Sequence, residues 1–341
     1  MARATIEDVA RTAGVSVATV DRVLNSRAAV RPATLKRVET AVRSLNYRPD
    51  RLAARLARGK EYRFCFILPV GNNAFMALLG EQVRAEEERL ATEKISIDLR
   101  LTDVFEPMEL AATLDQIGDV YDGVAVVALD HPRVKEAING LADRGVTVVT
   151  LVSDVPGSKR AHYVGIDNAA AGRTAATLMG RYLEGRTGKV GLIAGSLSLR
   201  DHIERQFGFE QVMRHDFPGL TVLPVREAHD DWQRVQEAAA QLLAENPDLI
   251  GLYNVGAGAR GIIAALERAG RQRDVVFIAH ELTVDTRRAL VDGTIDILIN
   301  QDAGHEIRSA TRVLMASADK SPIVEAMERI RIDIFIRDNI P

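Results

Sequence analysis

From Tyr62 onward the chain is a succession of short apolar runs separated by amphipathic stretches, and this alternation limits its possible folds more than any other feature. The runs are RFCFILPV, ISIDLRLT, DGVAVVAL, VTVVTLVS, YVGID, KVGLIAG, TVLPVRE, LIGLYNV, VVFIAHE, IDILINQ and RIDIFIR. Helical patterns such as 76–92 and 169–184 lie between most of them. Short strands joined by helical crossovers make parallel sheets buried on both faces. Eleven such strands are too many for one domain of usual size. The body, residues 61–341, is therefore predicted to be α/β, with two doubly wound parallel-sheet lobes.

Residues 1–60 follow a different pattern. They hold thirteen basic and five acidic side chains, whereas the rest of the chain holds 31 basic and 42 acidic ones. A compact basic head on an acidic body points to a polyanionic partner, because neutralising phosphates releases counterions. Thr5 and Asp8 have the spacing of a capping box, after which Ile6, Val9, Ala10 and Ala13 share one helical face up to Gly14. Ser16 can cap a second helix, with Val20, Val23 and Leu24 inward and Val17, Ala18, Asp21 and Arg22 outward. Pro32 suits the start of a third, carrying Leu35, Val38, Val42 and Leu45 inward. Helix, tight turn, helix is the helix-turn-helix layout, which predicts a small all-α head over 1–49. The start of the second helix of such a motif enters the major groove. There Arg22 can pair with guanine O6 and N7, and Val17 and Ala18 can touch a thymine methyl. Asp21 either accepts from a cytosine amino group or holds Arg22 in position.

With 341 residues, 47% of them hydrophobic, each unit can have its own core. The single cysteine, Cys65, excludes internal disulfides and zinc clusters of several cysteines, and is expected to be a buried strand residue. No run reaches the roughly 18 apolar residues of a membrane span, and no apolar run follows the arginine of MARATIEDVA. The expectation is a cytoplasmic protein with no membrane partner.

Ligands of such sheets bind beyond the carboxyl ends of the strands. Those ends carry Asn72, Asn73, Phe75, Asp130, His131, Ser153 and Asp154 in the first lobe, and Asp167, Arg205, Asn254, His280 and Gln301 in the second. Amides, a carboxylate, an arginine, a histidine and an aromatic face suit a polyhydroxylated ligand. Plainer roles compete: Asp167 as a helix cap, Arg205 as a surface ion pair, His280 as a satisfied strand-end residue. Trp232, on a polar amphipathic stretch, is assigned to lobe packing. Gly256, Gly258 and Gly261 form GxGxxG, with Glu281 about 20 residues beyond, as in a dinucleotide fingerprint. The motif lies late in the body, and glycines there also serve tight strand-to-helix packing. No GxxxxGK[ST], HExxH or G-x-S-x-G occurs, so no enzyme is predicted.

TIEDVARTAGVSVATVDRVLN, then VR, then LNYRPDRLAARLARGK, resembles the head of the lactose-repressor (LacI/GalR) family, matching in AGVS, TV, RVLN, LNYRP and A-x-x-L-A. That family usually has serine where this chain has Asp21. The resemblance implies a transcription regulator, a repressor by the family norm, acting as a homodimer on a palindromic operator. It makes Thr5, Ser16, Val17, Ala18, Thr19, Arg22, Asn25 and Tyr47 DNA contacts. It also implies a hinge helix or linker at 50–60, in which Ala53 and Leu56 reach the minor groove and Leu56 is the inserted wedge. So short a helix is marginal alone, and a wedge's unstacking cost is offset by wrapping bent DNA. The body resembles the periplasmic sugar-binding-protein fold of that family's effector domains. On that resemblance Asn73 and Phe75 in PVGNNAFM, Arg205 in SLRDHIERQFGFE and Gln301 in INQDAG are ligand contacts. His280 stands where ribose-type binders usually have aspartate. Ser153, Asp154 and Asn254 complete the expected set, with a small sugar or polyol as effector and no cofactor or metal. The lobes are expected at 61–162 with 293–320, and 163–292 with 321–341, crossing near 163, 292 and 321.

Overall fold

The computed structural model describes residues 4–24, 30–47 and 61–341. It forms two compact units, Met1–Glu61 and Tyr62–Pro341.

In the head, α1 (Ile6–Ala13) starts with the capping box its spacing implied. Thr5 Oγ1 accepts from the Asp8 amide at 3.3 Å, and the Asp8 carboxylate accepts from the Thr5 amide at 2.9 Å. Gly14 ends it at φ 63°, a left-handed conformation that a Cβ disfavours. Ser16 Oγ accepts from the Thr19 amide at 3.2 Å at the start of α2 (Val17–Leu24). Pro32 is the first residue of α3 (Pro32–Ser44). Val9, Ala10, Ala13, Val20, Val38 and Ala41 form the buried core, with Val23, Leu24, Val42 and Leu45 packed against it. Leu35, expected inside, is 39% exposed. It lies in the first turn of α3, and the small core buries only Val38 and Ala41 of that helix.

The body begins with β1 (Tyr62–Pro69), α4 (Ala74–Leu90), β2 (Ile95–Thr102), α5 (Pro107–Asp115), β3 (Gly123–Val126), α6 (Pro132–Asp143), β4 (Thr147–Leu151) and β5 (His162–Val164). Then come α7 (Asn168–Tyr182), β6 (Gly188–Ala194), α8 (Arg200–Asp216), β7 (Leu220–Val222), β8 (Arg226–Glu227), α9 (Trp232–Glu245), β9 (Leu249–Asn254) and α10 (Ala259–Ala269). The chain closes with β10 (Val276–His280), α11 (Val284–Asp292), β11 (Ile297–Asn300), α12 (Ala303–Ala318), α13 (Glu325–Glu328) and β12 (Asp333–Phe335). One sheet runs β2-β1-β3-β4-β5, parallel throughout. The other runs β12-β11-β10-β9-β6-β7, with β8 on β6 and only β12 antiparallel. Both faces are buried: Phe64, Phe66 and Leu68 of β1 join one core, Cys65 and Ile67 another. Burial pushes the Cys65 thiol up to about 11, as befits an inert core residue. The run TVLPVRE, expected as one strand, is two short ones either side of Pro224, which has no N–H for a ladder.

The crossings between lobes differ in part from expectation. The first follows β5, close to the expected 163. The second falls after β11, near 301, and not at 292: β11 pairs with β10 (Ile278 with Ile297) and is thus a strand of the second sheet. α12 then packs on β1, β3, β4 and α4 of the first lobe. The third falls beyond 328 and not at 321, because Glu328 is still tied to α12, accepting from Ser309 Oγ at 2.6 Å and Arg312 Nη2 at 2.7 Å.

α7 and α8 pack at near-backbone distance through two glycines. A Cβ on Gly172 would lie 1.9 Å from the Arg205 carbonyl oxygen, and one on Gly208 2.2 Å from that of Ala169. This contact sets the position of α8, and with it Arg205.

Candidate functional site

In the head, α2 presents Val17 and Ala18 outward in its first turn, whereas Arg22, expected with them at the helix start, lies in its last turn. Val17 is 40% exposed, and the Arg22 guanidinium folds back through Nε to the Ala18 carbonyl at 3.3 Å. Thr5 and Ser16, expected as DNA contacts, spend their hydroxyl oxygens as caps, and Ser16 Oγ also lies 2.9 Å from Thr19 Oγ1. Tyr47 packs against the head's core. Asn25, Ala53 and Leu56, with the rest of the expected hinge, lie outside the described residues.

In the body, the carboxyl ends of both sheets face one cavity of about 260 Å³. Small-molecule sites usually span about 300–1,000 Å³, so this one suits a small ligand. Asn73, Phe75, Ser153, Arg205 and Gln301 all line it. Asn73 caps α4, its Oδ1 accepting from the Phe75 and Met76 amides, which seats Phe75 on the wall. Across the cleft, Asn73 Nδ2 donates to Asp230 at 3.3 Å and Asn72 Nδ2 to Asp231 at 2.9 Å. These two bonds join the first lobe to the second.

Among the described residues, Arg205 is the only arginine or lysine on the wall, which it shares with Asp103, Asp201, Asp230, Asp231 and Glu281. It is 2% exposed, not a surface ion pair. Nε donates to Asn168 Oδ1 at 2.8 Å and Nη1 to the Val255 carbonyl at 3.0 Å, while Nη2 has no protein partner. Asp201 Oδ1 and Gln301 Oε1 are likewise buried without a partner. Gln301 spends its Nε2 on Glu281 Oε1 at 2.8 Å. Burial raises the Glu281 carboxyl to about 7, against the pull of Arg205 and the Gln301 bonds. Burial, then the Glu281 charge, also holds Glu306 well above the usual carboxyl range behind this wall. A leftover cationic donor beside leftover acceptors is what hydroxyls satisfy, since each can both donate and accept.

Four of the seven non-glycine residues with positive φ among the described residues are on the wall. Val152, His229, Asp230 and Glu281 have φ of 64°, 51°, 55° and 69°, values unusual outside glycine. Such strain persists where surrounding structure enforces it, commonly at functional sites.

Three expected ligand contacts are elsewhere. Asp154 does not line the cavity: it pairs with Arg160, whose Nη2 donates at 2.6 Å, and accepts from Thr150 Oγ1 at 2.6 Å. Asn254 is fully buried and donates to the carbonyls of Gly256 and Ala257, holding the turn after β9. His280 bonds Tyr253 Oη through Nε2 at 2.8 Å and lines a neighbouring chamber with Trp232, which was assigned to lobe packing. Asp167 caps α7, accepting from the Ala170 amide at 2.8 Å. Asp103, Asp201, His202, Asp230 and Glu281 were missed. Only Glu281 had been noticed, as part of the GxGxxG spacing. Those glycines serve packing: a Cβ on Gly261 would lie 2.2 Å from the Trp232 carbonyl, and one on Gly256 2.4 Å from Asp230 Oδ1.

Among the described residues no helix is long and apolar enough to cross a membrane, and no group of three or more His, Cys, Asp or Glu could hold a metal ion.

Residues 5–50 match the family described as bacterial regulatory proteins, lacI family, and residues 64–322 the periplasmic binding protein domain. Among curated proteins, the chain is 28% identical over 226 residues to catabolite control protein A of Priestia megaterium, covering 66% of this chain and 64% of that one. It is 27% identical to the HTH-type transcriptional regulator GalS of Salmonella typhimurium, covering 75% and 74%. Of catabolite control protein A of Streptococcus mutans the match spans 55%. The chain thus spans less than two thirds of the length of the first and last of these. Among solved structures, a solute-binding protein of an ABC transporter from Burkholderia graminis, in complex with D-arabinose, superposes with a TM-score of 0.75 at 22% identity, covering 82% of this chain and 96% of that one. GanP, a glucose-galactose binding protein from Geobacillus stearothermophilus, gives 0.71 at 22%, covering 83% and 99%. This chain belongs to the lacI family of bacterial regulatory proteins, as that family's DNA-binding region followed by a periplasmic binding protein domain.

Proposed function

We propose that the chain is a cytoplasmic transcription repressor whose homodimer binds a palindromic operator and whose operator affinity is set by an uncharged sugar or polyol in the cleft. The observation that carries the effector reading is the trio Arg205 Nη2, Asp201 Oδ1 and Gln301 Oε1, three buried polar atoms without protein partners on one wall. Left unpaired, such groups cost about 1–3 kcal/mol each, and a polyhydroxylated ligand satisfies all three kinds. The five carboxylates argue for an uncharged effector. A phosphate ester brings a charge of about −1.5 to −2 and would meet them with Arg205 alone in its favour.

For the DNA, Arg22 carries base choice, Val17 and Ala18 make apolar contacts, and Thr5, Ser16, Thr19, Asn25 and Tyr47 hold the backbone. Ala53 and Leu56 act in the minor groove at the palindrome's centre. The regulators among the relatives favour this reading over an enzymatic one.

A thermal-shift screen of the purified chain against sugars, polyols, their phosphates and NAD(P) tests the effector half, because a ligand that binds only the folded state raises Tm. The expected hit is an uncharged sugar or polyol, with its phosphate ester at least about tenfold weaker. A response to phosphate esters or NAD(P) alone would contradict the reading.

A further inference from the structure

α12 runs from the cavity wall to the point where the body begins. Gln301, whose Oε1 lies unpaired on the wall, comes just before it, and Asp302 caps it, accepting from the His305 amide at 2.8 Å. Glu306, in its first turn, is fully buried behind that wall, and neither of its carboxylate oxygens has a protein partner among the described residues. At the far end the helix stops at Asp319, whose Oδ1 accepts from the Tyr62 hydroxyl at 2.5 Å. Tyr62 is 2% exposed, opens β1 and is the first residue of the second unit, so only Glu61 stands between it and the 50–60 stretch.

Between these ends there is little slack. A helix of 16 residues is about 24 Å long and keeps its length when one end is moved. Ile307, Ala310, Thr311 and Leu314 are fully buried along it, and a Cβ on Gly123 of β3 would lie 2.7 Å from the Leu314 side chain. Interiors packed this closely transmit a displacement, since they hold no free volume to absorb it. Near the far end, Ser317 Oγ lies 2.7 Å from Thr147 Oγ1, a separate bond to β4.

We propose that α12 carries the effector signal towards the operator-binding unit through the hydrogen bond from Tyr62 to Asp319, so that these two are positioning residues for regulation and take no part in holding the sugar. The proposal rests on the reading of the cavity as the effector site. Neither side chain lines that cavity. The chain passes between the lobes near 301, so a ligand held by Arg205 and Gln301 acts at the crossing and at the start of α12. The far end of the helix then shifts Tyr62, and with it the end of the stretch that holds the expected operator contacts Ala53 and Leu56.

The full-length protein is screened by thermal shift against D-glucose, D-galactose, D-ribose, D-arabinose, D-fructose, D-mannitol and D-sorbitol, and the one with the largest rise in Tm is carried into DNA titrations by fluorescence anisotropy. Tyr62→Phe keeps the ring, which stacks on Phe64 with centroids 6.1 Å apart, and removes the donor. In Tyr62→Phe and in Asp319→Ala, that sugar's Kd without DNA is expected to stay within about twofold of the parent's, while the factor by which it changes the DNA Kd falls at least about threefold. The double variant is expected to lose no more than either single one, because the two side chains make one bond. Ser317→Ala, which breaks the separate bond to Thr147, is expected to respond like the parent. A parental response in Tyr62→Phe, or an equal loss in Ser317→Ala, would overturn the route through Tyr62 and leave the effector site standing. A parent that binds none of these sugars, or binds one with no change in DNA affinity, would overturn the proposed function and the route with it.

Discussion

Glu281 is buried, strained at φ 69° and on the wall of the cavity, and burial raises its carboxyl to about 7. The folded chain keeps this proton more tightly than the unfolded chain does. Its contribution is therefore complete below about pH 4.5 and is lost as pH rises through about 7, on the order of 3 kcal/mol over that window. Glu281→Gln removes the titration. In urea unfolding, the variant's stability relative to the parent is expected to rise by about 2–3 kcal/mol between about pH 5 and about pH 8; a constant difference would show that Glu281 is not desolvated. Side-chain identity after strands made Asn73, Phe75 and Gln301 legible in the sequence, whereas Arg205, expected at a strand end, lies inside α8 and was legible through the family resemblance. Asp230 and Glu281 were not, because left-handed backbone at non-glycine positions aims them inward and no residue pattern announces it. Asp154 misled for the opposite reason: it reads as a strand-end polar group, yet Arg160 six residues on neutralises it locally.

Among elements, α8 does most to place the site, since it carries Asp201, His202 and Arg205 to the wall. Its position depends on Gly172 and Gly208, where any Cβ would strike the partner helix's backbone. Gly172→Ala should therefore destabilise the body by about 2 kcal/mol or more and weaken sugar binding, measured by urea unfolding and titration. A variant as stable as the parent, with unchanged affinity, would mean that the helices can separate freely. In the head, removing the Thr5 cap with Thr5→Ala should cost about 1 kcal/mol, seen as a lower melting temperature of that unit's transition. Apolar periodicity was enough to read α1, α2 and α3 and the strands of the body, except that β7 and β8 were read as one. It was not enough to assign β11, because an apolar strand fits either sheet and only its pairing with β10 decides which lobe it joins. The proline in TVLPVRE was the visible sign that the run would split.

The whole molecule has two units that differ in charge, a basic head and an acidic body. If ligand and operator act through one two-state element, each must shift the other's affinity by the same factor, typically about 5–150-fold. The two bonds from Asn72 and Asn73 to Asp231 and Asp230 join the lobes across the cleft in which the proposed effector would bind. The measurement that bears most directly on this is operator affinity by fluorescence anisotropy, on a DNA site selected with the full-length protein, with and without the sugar found by thermal shift, for the parent chain and for Arg205→Ala. The sugar is expected to change the parent's Kd for DNA several-fold or more, whereas Arg205→Ala is expected to bind the same DNA equally well and no longer respond. A DNA affinity indifferent to the bound sugar, or an Arg205→Ala variant that responds like the parent, would contradict it.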